Sequence, residues 1–278
     1  LFRHRASTAH CRIQSMNGSN AESSSLRLAR AERTLLALFL IALCTQLRNT
    51  LTNPDGVGYY AHLRSAALDR DLFHLNEYDA MGMTPYYSDP SPTGLVRNQW
   101  PVGCAALWAP FFGAGRLAGA AARAGGADIP RDGFSPLDAL AVTLGSAFYG
   151  FAALLVCFRM LARTRGARAA FAAVVLLWIG TPLFYYQFYE AGMAHACSAF
   201  AAAVFVSFWQ QLRARGGGSA AELALVGCAA GLAALVRTEL ALLAILPLAD
   251  ILSGRLGRAR GAKNPAATAA SVAAFATG

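Results

Sequence analysis

The chain has 278 residues, of which 56% are hydrophobic and only 14% charged, and its net charge is +9. A soluble domain carries about 25% charged residues; here the apolar residues fall in runs divided by short Arg-rich or Gly/Pro-rich breaks, which excludes one soluble core. All but one of the basic residues are Arg, and they sit at the ends of apolar runs, where they orient helices in a bilayer, so the charge is not that of a nucleic-acid binder.

In chain order, Leu1–Ser15 has no pattern, and Met16 opens a polar leader and is the expected start. Residues 1–33 hold six Arg against Glu22 and Glu32. The first apolar run is Thr34–Leu47, between Arg33 and Arg48. Fourteen residues make a helix of about 21 Å, short of a hydrocarbon core of about 30 Å, and snorkelling Arg with the turn at residues 49–52 make up the difference. No small-x-small cleavage site follows, so a retained anchor is expected rather than a signal peptide.

Residues 48–100 are polar and aromatic, with four Arg against six acids: Asp55, Asp69, Asp71, Glu77, Asp79 and Asp89. The positive-inside rule puts the leader in the cytoplasm and this loop outside. Further apolar runs are Pro101–Ala122, Pro136–Met160, Ala169–Phe188, Met193–Leu212, Ala221–Val236 and Leu240–Leu252. The breaks at Arg163–Arg168, Arg213–Arg215 and Arg255–Lys263 are basic and belong inside. That parity holds only if Pro101–Ala122 does not cross. Pro110, Trp100, Trp108 and Arg116 suit a re-entrant or interfacial helix, so the outer region is expected to run from about 48 to 135. Ala266–Gly278 stops inside an Ala-rich run, as a helix cut short would. The expectation is an all-α polytopic membrane protein of the bacterial inner membrane. The six cysteines show no CxxC spacing and read as small apolar fillers.

The densest chemical signal is Asn53-Pro54-Asp55-Gly56-Val57-Gly58-Tyr59-Tyr60. Pro and two Gly predict a tight turn that holds Asp55 at the membrane surface, as a general base, a metal ligand or a solvated turn residue. Tyr59, Tyr60, His62, Arg64 and Ser65 fall at spacings that share helix faces, and Asp69, Asp71 and Glu77 follow. Aromatic faces beside carboxylates are what sugar binding needs; an aromatic belt and a loop ion pair are the plainer readings. Arg237 lies between two apolar runs, where a charge is functional or pairs with Glu239 or Glu190. No His/Cys/Asp spacing argues for zinc.

The segments PDGVGYYAHLRS (54–65), LDRDLFHLNEY (68–78), NQWPVGCAALWAPFF (98–112), FYEAGMAHACSAF (188–200) and GLAALVRTELALL (231–243) resemble the membrane glycosyltransferases of the GT-C fold. The likeness is to bacterial members described as glycosyltransferase family 39 or RgtA/B/C/D-like. The resemblance implies a GT-C-like transmembrane helix bundle over 34–278, with interfacial helices in the outer loop. It implies transfer of a sugar from a polyprenyl-phosphate-linked donor to a glycan, lipid or protein acceptor on the outer face. Asp55 would be the catalytic carboxylate. Tyr59, Tyr60, Arg64, Glu77, Glu190, His195 and Arg237 would bind substrate, with Arg237 first and Arg64 second as the cation for the phosphate. A divalent cation at Asp55 is compatible with the family, though some branches need none. The family pattern often has Pro after this Glu and Ser before this His; the chain has Ala191 and Ala194, so Glu190 and His195 line a groove or cap helices rather than catalyse. The rival class is a transporter or flippase component for lipid-linked sugars, which would place paired charges or broken helices at mid-bilayer.

Overall fold

The structure, a computed structural model, describes the backbone of residues 2–49, 51, 53–84, 89–256 and 265–278; side chains are described from residue 24 on, apart from 265–267. The expected start at Met16 and the basic residues Arg258, Arg260 and Lys263 therefore fall outside the described side chains.

The described chain is all-helical, with one isolated β-bridge between Pro90 and Val96. Helix α1 is Phe2–Gln46 and α2 is Pro54–Arg64, which continues into a π-helical turn at Ser65–Asp69. Then come α3 (Leu75–Ala80), α4 (Gly103–Ala124), α5 (Pro136–Arg165), α6 (Ala167–Gly180), α7 (Leu183–Phe188), α8 (His195–Ala214) and α9 (Ala220–Val236). A 3₁₀ segment at Thr238–Ala244 leads into α10 (Ile245–Leu252), and α11 is Pro265–Ala276.

Helix starts follow from local chemistry. The Ser135 hydroxyl accepts from Asp138 N–H while the Asp138 carboxylate accepts from Ser135 N–H, with Pro136 in the first turn. Ser219 and Glu222 repeat this box at α9. Asn53 caps α2 by accepting from Asp55 N–H, again with Pro at the first position.

Four features differ from the sequence expectation. Ala169–Phe188 is not one helix: it breaks at Thr181–Pro182, because Pro182 has no N–H to continue the ladder. Leu240–Leu252 starts as 3₁₀ turns after Arg237, whose backbone is extended (φ −149°, ψ 124°). Pro110 does not interrupt its helix: α4 runs through it, with the ring on an exposed face. Trp100 and Trp108 are not exposed as residues of an aromatic belt would be. Both are buried, and Trp108 Nε1 donates to Ser146 Oγ at 2.9 Å, joining α4 to α5.

Helix α5 is the hub, packing on α1, α4, α6, α7 and α8. Helix α9 packs on α4, α8 and α11, and α2 lies on α4. Of the described helices, only α5 is long and apolar enough by itself to cross a membrane; α6 and α9 are apolar but shorter. At about 1.5 Å per residue α6 reaches roughly 21 Å, because the breaks at Pro182 and Arg237 cut the runs that composition alone suggested.

The bundle has two chemically different ends. At one, Arg48 N–H donates to Phe188 O at 2.6 Å, Asn49 Nδ2 donates to Pro136 O at 2.8 Å, and the Tyr189 hydroxyl donates to Gln46. These bonds gather the end of α1, the start of α5 and the turn after α7. At the other end, Arg159 pairs with Glu32 at 2.7 Å, and Arg213 and Arg255 each approach the buried Asp250 at 3.4 Å.

Candidate active site

Asp55 stands in the first turn of α2, where the unpaired N–H groups at the helix start attract its charge. Its Oδ1 accepts from Trp100 Nε1 at 3.0 Å. Among the described residues Oδ2 has no hydrogen-bond partner. The carboxylate is half-buried, so one oxygen is held and the other is open.

The turn after Tyr189 closes against it. A Cβ on Gly56 would lie 3.3 Å from Gly192 O, so the missing side chain lets the start of α2 approach that turn. His195 opens α8 just beyond, its ring stacked on Tyr186 with centroids 3.7 Å apart and planes 15° from parallel. Arg237 Nη1 lies 3.2 Å from His195 Nδ1, and Arg237 Nη2 donates to Glu239 Oε1 at 2.8 Å. That contact holds Glu239 below the usual carboxylate range and raises Arg237. Glu239 is largely exposed, so solvent screens the pair and Arg237 can exchange it for another anion. Tyr59 joins the group electrostatically: burial, then Cys104 and Asp55, push its hydroxyl up, while Arg237 opposes them.

Asp55, Tyr59, His195 and Arg237 thus converge from α2, the start of α8 and the end of α9. The close approach of α4 to α9 fixes the last of these, since a Cβ on Gly103 would lie 2.4 Å from Leu235 backbone atoms. Of the two partners the sequence offered Arg237, the structure chooses Glu239. Glu190 is half-buried and makes no side-chain hydrogen bond or ion pair among the described residues.

The remaining predicted residues form a second, buried cluster. Arg64 Nη1 donates to Glu77 Oε1 at 2.7 Å and also pairs with Asp69; its Nε donates to Asp132 O at 2.7 Å. The Phe134 ring lies 4.4 Å from the guanidinium. Ser65 Oγ donates to Glu77 Oε1 at 2.7 Å, and His74 Nδ1 lies 3.0 Å from the same hydroxyl. The single Ser65 proton is used on Glu77, so His74 donates from Nδ1. Tyr60 is buried and donates to Gly133 O, so it offers no face to a sugar. Arg64 is committed to carboxylates and is not available to a phosphate.

Three partners escaped the sequence reading: Trp100 and Asn98 around Asp55, and Tyr186 beneath His195. Asn98-x-Trp100 carries a signal in retrospect, because Asn two residues before a residue caps that residue's N–H in an Asx turn. Trp100 N–H donates to Asn98 Oδ1 at 3.0 Å. No group of three or more His, Cys, Asp or Glu among the described residues is arranged to hold a metal ion.

No protein-family model, curated protein or solved structure matches the chain.

Proposed function

We propose that the chain is a GT-C-like polytopic membrane glycosyltransferase, transferring a sugar from a polyprenyl-phosphate donor to an acceptor at the outer face of a bacterial inner membrane. The observation that carries this reading is Asp55: a carboxylate with one oxygen anchored and one open, in one cluster with Arg237 and His195. Glycosyl transfer from a lipid phosphate needs that pairing of a proton acceptor and a cation. The acceptor hydroxyl or amine attacks the anomeric carbon as the bond to the phosphate oxygen breaks. The electron pair leaves with the phosphate, and the acceptor proton passes to Asp55 Oδ2. Arg237, released from Glu239, offsets the growing phosphate charge, and His195 adds a neutral N–H.

The membrane assignment is supported by the outer surface of the helices. Leu36, Leu40, Ile41, Leu117, Leu176 and Ile179 are all exposed, a surface that water does not favour and lipid does. The Arg-rich end opposite Asp55 fits the cytoplasmic side.

The breaks at Pro182 and Arg237 also suit a carrier of lipid-linked sugars, whose sites form at discontinuous helices. Purified protein in vesicles with a radiolabelled polyprenyl-phosphate hexose separates the two. Loss of transfer in Asp55→Asn with intact membrane insertion supports the enzyme. Wild-type transfer by that variant sinks the role of Asp55. Movement of the lipid-linked sugar across the bilayer without transfer points to the carrier.

A further inference from the structure

Asn53 and Asn98 make the same turn twice. Asn53 Oδ1 accepts from Asp55 N–H, and Asn98 Oδ1 accepts from Trp100 N–H, each at 3.0 Å. The two turns face one another, and the residues they present, Asp55 and Trp100, meet through the indole N–H. Segment 98–100 is fastened to α2 at two further points. Asn98 Nδ2 donates to Gly58 O at 2.9 Å, and His62 Nε2 lies 2.9 Å from Trp100 O, which can only accept. The bare Cα of Gly58 makes room for the ring: a Cβ there would lie 1.9 Å from the indole. Trp100 itself is 7% exposed. Bonds at Asp55, Gly58 and His62 therefore hold this segment on one face of α2, over about two helical turns.

We propose that Trp100 is a positioning residue for Asp55, with Asn98, Gly58 and His62 as its mount: the indole N–H fixes Oδ1 and so directs the incoming proton to Oδ2. A carboxylate free to rotate about χ2 would present either oxygen at varying angles. A donor fixed at one oxygen removes that freedom before substrate arrives. The catalytic consequence rests on the glycosyltransferase reading; the contact itself does not.

The test therefore has two readouts. In protein labelled with ¹⁵N-tryptophan the four indoles have distinct partners: Asp55 for Trp100, Ser146 for Trp108, Gln187 for Trp178 and Asp250 for Trp209. Asp55→Asn should move the Trp100 indole N–H resonance and leave the other three in place, which also shows that the variant is folded. A Trp100 resonance that stays put overturns the proposal. Trp100→Phe keeps an aromatic ring beside Gly58 and deletes the donor. With a polyprenyl-phosphate hexose as donor, its kcat should fall by about tenfold to a hundredfold while the donor KM stays within about twofold. A raised KM with kcat unchanged makes Trp100 a binding residue and overturns the positioning role. If the wild type transfers no sugar, the glycosyltransferase reading falls, and the resonance still decides the contact.

Discussion

Arg237 donates to His195 across 3.2 Å from Nη1 to Nδ1, and this sets the state of the imidazole. A guanidinium has no acceptor, so Nδ1 is the unprotonated nitrogen and the proton sits on Nε2. His195 thus stands beside the cation as a neutral donor. Arg237→Ala removes both the charge and the group that orients the ring; affinity for a sugar-free polyprenyl phosphate should fall by about tenfold or more, and His195→Ala should cost less, since a charged hydrogen bond contributes about 1.5–3 kcal/mol. Equilibrium binding to detergent-solubilised protein measures this. Unchanged affinity in both variants would remove the pair from the phosphate site.

Glu77 is fully buried, and Oε2 has no hydrogen-bond partner among the described residues, so its charge depends on Arg64 and Ser65 at Oε1. Arg64→Met should destabilise the protein by about 3–5 kcal/mol by stranding that carboxylate. Adding Glu77→Met should recover much of the loss. Thermal unfolding of the single and double variants in one detergent checks it, and equal melting of the two would show that Glu77 tolerates the loss of its partner.

Burial, with His62 close by, lowers His74 from its ordinary 6.5 to about 4, against a smaller opposing effect of Asp71. The ring edge meets His62 at 4.9 Å between centroids. Folded protein refuses a proton that the unfolded chain takes up below about pH 6.5. Stability from this group is therefore complete above pH 6.5 and is lost as pH falls towards 4, by up to about 3 kcal/mol. His74→Gln should flatten the stability profile across that window. A profile as steep as that of the wild type would place the acid sensitivity elsewhere.

Asp128 is exposed beyond the end of α4, and Arg163 lies in the last turn of α5 at the Arg-rich end. In spheroplasts, the thiol introduced by Asp128→Cys should react with an impermeant maleimide, and the thiol introduced by Arg163→Cys should react only after permeabilisation. Native cysteines are replaced first; Cys44 and Cys228 are the exposed ones among the described residues. Protection of position 128 until permeabilisation would show that α4 crosses the bilayer.

Much of the helical plan was legible in the chain. The apolar runs from Pro136 and Ala221 and the Arg-rich breaks are set within a few residues, so local pattern suffices to read them; the boxes at Ser135 and Ser219 and the helix start at Asn53-Pro54 are as local, but the sequence reading did not use them. Asp55 stood out because Pro and Gly flank it, yet the tight turn they suggested does not form: α2 starts at Pro54 and runs through Gly56 and Gly58, so Asp55 sits in its first helical turn. Pro182 was equally visible, yet the apolar run around it hid the break between α6 and α7.

What the sequence by itself determined is the all-helical class, the apolar runs and the singling out of Asp55 and Arg237, because period, capping and composition are local properties. Only the tertiary structure decided which polar groups meet. It sent Arg64 to Glu77 in a buried cluster, Arg237 to His195 and Glu239, and Trp100 to Asp55 across 45 residues of chain. Ion pairs and hydrogen bonds act over a few ångströms, and the partners lie on different helices. Their choice follows from close approaches at Gly56, Gly58 and Gly103 that no local pattern encodes.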